Sequence, residues 1–137
     1  MKSMIHLLAI PVLALAALAG PSASAAQAQE FGYALTVIEN PTHLTLHYSI
    51  QWGDGSWQQF TLRPGEERMH SYAYSSRARV SPTLRVRFDE TLLDDEYIGR
   101  QYVLQRYASD FKSWQAAKRY VFRISPGGGY VDLIGVN

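Results

Sequence analysis

The chain has 137 residues, with 13 basic and 12 acidic side chains and a formal net charge of +1 when the histidines are neutral. This near balance gives no general attraction to nucleic acid, so no nucleic-acid partner is expected. The sequence contains no cysteine. Disulfides, thiol catalysis and cysteine metal ligands are therefore excluded, and the packing of apolar and aromatic side chains must stabilise the fold.

The first 28 residues have the composition of a secretory signal peptide. Lys2 gives a short basic start, residues 7–19 are apolar, and small residues predict cleavage near residues 25–28. The apolar run is shorter than the ~20 residues that a membrane-spanning helix needs, so no transmembrane segment is expected after cleavage. Residues 29–137 have the size of one domain, and the predicted location is the periplasm or outside the cell.

The rest of the sequence has strand patterns and no long helical period. The predicted strands cover residues 33–39, 43–52, 57–62, a run after the turn at 63–66, then 83–89, 97–107, 118–125 and 130–136. Residues 109–117 are predicted as a helical turn or a loop. Seven or eight short strands with turn-rich links predict an all-β fold, a single antiparallel β-sandwich, with a small β-barrel as the alternative.

The segment 43–62 predicts a hairpin, because alternating apolar residues up to Trp52 are followed by a glycine-rich turn. A plain four-residue loop would place Phe60 opposite polar Ser49 and bury the wrong side chains. A five-residue loop or a bulge places Phe60 opposite Ile50 and leaves Trp57 outside the apolar stripe. We therefore predict the second register.

Residues 63–66, Arg-Pro-Gly-Glu, predict a type II turn with Pro64 and Gly65 at its centre. Type II turns splay hairpins, so the flanking strands either pair or belong to different sheets. If they pair, one outer face collects aromatic, amide and imidazole groups suited to the apolar faces and hydroxyl rim of a sugar. These candidate ligand-binding residues are Gln51, Trp57, Gln59, His70 and Tyr72. In the alternative interpretation, Trp57 and Tyr72 instead cover the second face of the sandwich.

Charged and metal-ligating residues give weaker signals. His43 and His47 are four residues apart on one strand, roughly 13 Å, which is too far to share a metal, so no metal site and no cofactor is predicted. Five carboxylates at Asp89, Glu90, Asp94, Asp95 and Glu96 form either a solvated acidic loop or a calcium site, although their spacing fits no EF-hand. Several arginines form either a stripe for an anionic glycan or lipid headgroup, or the solvent face of a sheet. They are Arg85, Arg87, Arg100, Arg106, Arg119 and Arg123.

Catalytic motifs are missing from the sequence. It has no Gly-x-Ser-x-Gly elbow, and no motif places a histidine beside a serine, so no catalytic residue is assigned. The sequence favours a non-catalytic binding or structural module over the alternative, a small envelope hydrolase whose catalytic residues are unidentified.

A family resemblance rests on several short motifs. The Asn40-Pro41-Thr42 turn, the paired Trp52 and Trp57, the segment 62–66, His70 and the closing 120–133 pattern resemble short secreted bacterial proteins of unassigned function. The resemblance spans most of residues 29–137 and implies an exported β-sandwich without assigning a catalytic residue. The expected partner is a glycan, a cell-envelope component or another protein.

Overall fold

The computed structural model describes residues 32–75, 77–92 and 97–137, so the predicted signal peptide lies outside the described residues. The described part of the chain has nine strands and no helix, which confirms the all-β prediction. The strands are β1 (Tyr33–Glu39), β2 (Leu46–Trp52), β3 (Gln58–Leu62), β4 (Glu67–Ala73), β5 (Leu84–Asp89), β6 (Gly99–Leu104), β7 (Tyr107–Ser109), β8 (Lys118–Ile124) and β9 (Val131–Gly135). The predicted strand 97–107 is two strands, because Gln105 and Arg106 interrupt it.

The strands form two sheets. The first sheet has the order β4-β1-β8-β9, with β7 also paired to β1, and the second has the order β3-β2-β5-β6. β1 is antiparallel to β4 and β7 but parallel to β8, so the antiparallel prediction fails for the β1–β8 pair. Neither sheet closes on itself among the described strands, and the barrel alternative is wrong.

The two sheets share one hydrophobic core, because alternate side chains of each sheet point to the same interior. The first sheet contributes Ile38, Phe122, Val131 and Leu133, and the second contributes Leu46, Tyr48, Ile50, Leu62, Leu84, Val86, Phe88 and Leu104. Full burial of one such side chain stabilises a fold by about 1.5–3 kcal/mol. A smaller cluster of Leu35, Val37 and Ala117 buries the other face of β1, so this strand has side chains buried on both faces.

The β2–β3 pairing has the predicted face but a different register. Phe60 lies opposite Tyr48 and not Ile50, so the predicted register is wrong by two residues, a shift that keeps the same side chains on the core face. The connection is longer than predicted, because pairing with β3 ends at Ile50, whereas pairing with β5 continues to Trp52. Trp57 lies outside the apolar stripe, as predicted.

The turn at Pro64 and Gly65 joins the two sheets. Gly65 has φ of +81°, and the Glu66 amide donates to the Arg63 carbonyl at 3.1 Å. The positive φ is the one that the sequence predicts for this glycine. However, β3 belongs to the second sheet and β4 to the first, which confirms the alternative of different sheets and contradicts the hairpin.

Buried Asn40 fixes this crossing between the sheets. Its side-chain Nδ2 donates to the carbonyls of Leu44 (2.7 Å) and Leu62 (3.0 Å), and its Oδ1 accepts from the Thr42 amide (3.1 Å) and hydroxyl (2.6 Å). Its backbone carbonyl accepts from the Gly65 amide at 2.7 Å. One side chain therefore ties the end of β1 to the end of β3.

The segment 110–117 between β7 and β8 is a loop with a turn at residues 114–116, which decides between the two predicted alternatives.

Among the described residues, no helix has the length and apolar character needed to cross a membrane.

Candidate functional site

The structure places the five candidate residues on two different surfaces. Gln51 of β2 and Gln59 of β3 lie on the outer face of the second sheet, and Trp57 lies beside them against Arg87. His70 and Tyr72 lie on β4 of the first sheet, and their side chains point inwards. The five residues do not form one face, because the β3–β4 pairing that would gather them is absent.

His70 bonds to Tyr48 between the two sheets. The His70 side chain is only 4% exposed, its Nε2 lies 2.8 Å from the Tyr48 hydroxyl, and its ring packs edge-on against Phe60 at 4.7 Å. Burial, with a smaller contribution from the positive charge of Arg68, lowers the pKa of His70 to about 4. Burial also raises the pKa of Tyr48. Both groups are therefore neutral at pH 7, and the pair links the sheets rather than facing a ligand.

Tyr72 also faces the interior, where its ring contacts Trp52 at a centroid distance of 5.5 Å. This contact fits the alternative interpretation for Tyr72, in which it covers the second sheet. The same interpretation does not fit Trp57, whose ring lies on the outer side of that sheet.

The outer face of the second sheet contains a cleft of about 450 Å³, which we call the outer cleft. It lies over β3, β2 and β5 and reaches the residues just before β6. Its lining residues are His47, Tyr48, Ser49, Gln59, Phe60, Thr61, Arg87, Phe88, Asp89 and Tyr97.

The strand register explains the shape of the outer cleft. Ser49 of β2 pairs with Gln59 of β3 on one side and with Arg87 of β5 on the other. Paired residues share a face of the sheet, so the short Ser49 side chain lies between two longer ones. The next polar pair along is His47 with Thr61, joined by a 2.9 Å hydrogen bond between Nδ1 and Oγ1. A low centre flanked by long polar side chains makes a concave surface.

Arg87 stacks on Trp57 at the edge of the cleft. The guanidinium carbon lies 4.2 Å from the centre of the indole ring, which is a close cation–π contact. Trp57 is half-buried, whereas Arg87 is exposed. The indole therefore holds the guanidinium in place while the edges of the guanidinium stay accessible.

Tyr97 supplies a second aromatic ring. It is 72% exposed, and its ring lies so close to Gly99 that a Cβ at position 99 would be 3.2 Å from a ring carbon. The missing side chain of Gly99 thus leaves room for the tyrosine over the start of β6. Strand alternation at 97–103 could have placed Tyr97 on the outer face, since Tyr97 and Gly99 share the outward side with Arg85 and Arg87 once β6 pairs with β5.

Asp89 and Glu90 have structural partners. The Asp89 Oδ1 accepts from the amides of Thr91 (3.1 Å) and Ile98 (3.0 Å), and Glu90 forms a 2.5 Å ion pair with Arg100. Asp94, Asp95 and Glu96 lie outside the described residues, so the structure does not test the choice between a solvated acidic loop and a calcium site. Within residues 32–75, 77–92 and 97–137, no group of three His, Asp or Glu side chains could hold a metal ion.

The hydrolase alternative gains no assigned residues from the described part of the chain. The two hydrogen-bonded imidazoles there, His47 and His70, contact a threonine and a tyrosine hydroxyl. Neither is bonded to a serine or a carboxylate in these ranges, as a serine hydrolase would require.

A scan against models of known protein families found no matching family, and a search of curated proteins found no match. The resemblance to short secreted bacterial proteins therefore stays a prediction, and function is argued from the outer cleft.

Proposed function

We propose that this chain is an exported, non-catalytic binding module with a β-sandwich fold, and that it binds a carbohydrate of the cell envelope in the outer cleft. The observation that carries the proposal is the cleft itself, which combines the exposed Tyr97 ring with amide, hydroxyl and imidazole groups. Ligand sites are concave and combine apolar surface with a few polar groups that fix orientation. The core shared by both sheets supports a sandwich, and export rests on the composition of residues 1–28.

A sugar ring matches these groups chemically. Its faces are apolar and pack on an aromatic ring, whereas its hydroxyls need donors and acceptors around the rim. Tyr97 is the better stacking surface, because Arg87 already covers one side of the Trp57 indole. Gln59 offers both a donor and an acceptor, and Thr61 offers a hydroxyl. In this proposal Gln59 binds the sugar directly, and Trp57 acts through Arg87.

The test is binding of the purified protein to an array of cell-envelope oligosaccharides, followed by titration calorimetry with the best ligand. We expect Tyr97→Ala to weaken binding by about 0.5–1.5 kcal/mol, which is a few-fold to roughly tenfold in Kd, because it removes the stacking surface. The matched control is Tyr107→Ala, since Tyr107 is an exposed tyrosine on β7 of the other sheet. Absence of any oligosaccharide binding, or equal binding by the wild type and Tyr97→Ala, would contradict the proposal.

A further inference from the structure

The arginines of the described residues differ in their partners. Six of them form an ion pair with a carboxylate or a hydrogen bond to a hydroxyl or a backbone carbonyl: Arg63, Arg79, Arg85, Arg100, Arg106 and Arg119. Arg119, for example, lies 2.5 Å from Glu67 and 3.6 Å from Glu39. Arg68 and Arg87 differ, because the contact of each in this part of the chain is an aromatic ring, Phe60 for Arg68 and Trp57 for Arg87. Of these two, Arg87 lines the outer cleft. Its guanidinium N–H groups have no acceptor in the described part of the chain.

The stack on Trp57 prepares Arg87 for an anionic ligand. A guanidinium is a planar fork of five donors that fits a carboxylate with two parallel hydrogen bonds. A free arginine side chain loses rotamer freedom when it binds, whereas one already held against an indole loses less. The arrangement therefore favours an anion at the edge of the guanidinium.

Asp89 is the acidic side chain that lines the outer cleft among the described residues. Asp89 is two residues beyond Arg87 on β5, so regular strand spacing separates their Cα atoms by roughly 6.6 Å. Its Oδ1 already accepts two backbone amides, and it pairs with Gly99 near the Tyr97 end of the cleft. Arg87 instead pairs with Ser49 in the polar centre. The cleft is thus polarised, with its positive end beside Gln59 and Ser49.

We propose, on the basis of the carbohydrate-binding function above, that the ligand is a sugar with an anionic substituent and that Arg87 binds this anion. The sugar ring lies on Tyr97, and its anionic group lies at the guanidinium beside Gln59. A sugar carboxylate and a sugar phosphate share this chemistry, since both accept two hydrogen bonds from arginine.

The experiment is titration calorimetry of the purified protein with three probes. These are an oligogalacturonate, the neutral galactose oligosaccharide of the same length and linkage, and a hexose 6-phosphate. We expect the wild type to bind an acidic probe at least tenfold more tightly than the neutral one. The preference is the ratio of the Kd of the neutral probe to the Kd of the acidic probe. Arg87→Gln should lower this ratio at least tenfold, and Arg87→Lys should restore part of it.

The matched control is Arg123→Gln. Arg123 is exposed on β8 of the first sheet, so the substitution removes the same charge away from the cleft, and affinity should change less than twofold. Unfolding midpoints of both variants check that each one folds.

The outcomes separate the two proposals. If the neutral probe binds as well as the acidic ones and Arg87→Gln changes nothing, the anionic ligand is wrong and carbohydrate binding stands. If no carbohydrate binds on the array or in solution, both proposals are wrong. If the preference for the acidic probe falls equally in Arg123→Gln and Arg87→Gln, the net charge of the protein causes that preference and the proposed role of Arg87 is wrong. Preference for the phosphate over the carboxylate, with the same dependence on Arg87, supports the proposal and identifies the anion.

Discussion

At the scale of single residues, Asn40 has a role that its type does not reveal. Its buried side-chain amide takes part in four hydrogen bonds. It donates two of them, to the carbonyls of Leu44 and Leu62. Asn40→Ala leaves those carbonyls without their donor, and each such loss costs about 1–3 kcal/mol. We therefore expect the free energy of unfolding to fall by about 2–4 kcal/mol, measured by urea denaturation.

The comparison for this prediction is Thr42→Val. That variant keeps the shape of the side chain and removes one hydroxyl that bonds to Asn40, so it should cost about 1 kcal/mol. If Asn40→Ala costs no more than Thr42→Val, the buried amide does not hold the crossing between the sheets.

His70 should make stability depend on pH. Its pKa is about 4 in the fold against an ordinary value of 6.5 in the unfolded chain, so the unfolded state binds more protons between these values. Stability is then fully present above pH 6.5 and is lost as the pH falls towards 4. The expected loss from this group is about 2 kcal/mol between pH 7.5 and pH 5, measured as the free energy of unfolding in urea.

His70→Gln removes the titrating group, so its stability should fall less over the same pH interval by about this amount. His47→Gln is the control, because His47 is exposed and bonds to Thr61 on the surface. It should keep the pH dependence of the wild type. Identical pH profiles for His70→Gln and the wild type would contradict the assignment.

At the scale of elements, the glycines of the two Pro-Gly turns should respond in opposite ways to replacement by alanine. Gly65 has φ of +81° and open space around it, so Gly65→Ala should destabilise the fold by about 1 kcal/mol through backbone strain alone. Gly127 also has open space, but its φ is not in the left-handed region. Gly127→Ala should therefore be neutral or stabilise by up to about 1 kcal/mol. Thermal unfolding of the two variants compares them, and equal midpoints would contradict the role of φ.

The strands themselves could be predicted because burial of one face leaves an alternating pattern in the sequence. The predicted strand 33–39 has the same bounds as β1, and Phe60 lies on its predicted face. The partner of each strand could not be predicted in the same way. β4 pairs with β1 across 28 residues at Glu39 and Glu67 and 40 residues at Tyr33 and Ala73, and no local pattern at Pro64 and Gly65 decides between a hairpin and a crossing.

The candidate site also contains positions that strand alternation predicts and positions that depend on strand pairing. Gln51 and Gln59 have their predicted outward positions, because strand alternation decides them. Trp57 precedes β3 and lies on the same side through its contact with Arg87. His70 and Tyr72 were expected on that face only through the β3–β4 pairing, and the actual pairing turns them towards the core. The sequence places Arg87 among the arginines of a ligand stripe or of the solvent face of a sheet, but its stack on Trp57 depends on the β2–β5 pairing, which is not local in sequence.

At the scale of the whole molecule, β1 has partners from the middle and from the C-terminal part of the described chain. Its first half pairs with β7, and its second half pairs with β8 at residues 118–121. Contacts between segments so far apart require the closure of a long loop, which opposes early pairing and slows folding. β1, the first of the described strands, therefore cannot pair with all its neighbours until β7 and β8 have been synthesised. The first sheet is therefore completed late, after all the described strands of the second sheet have been made.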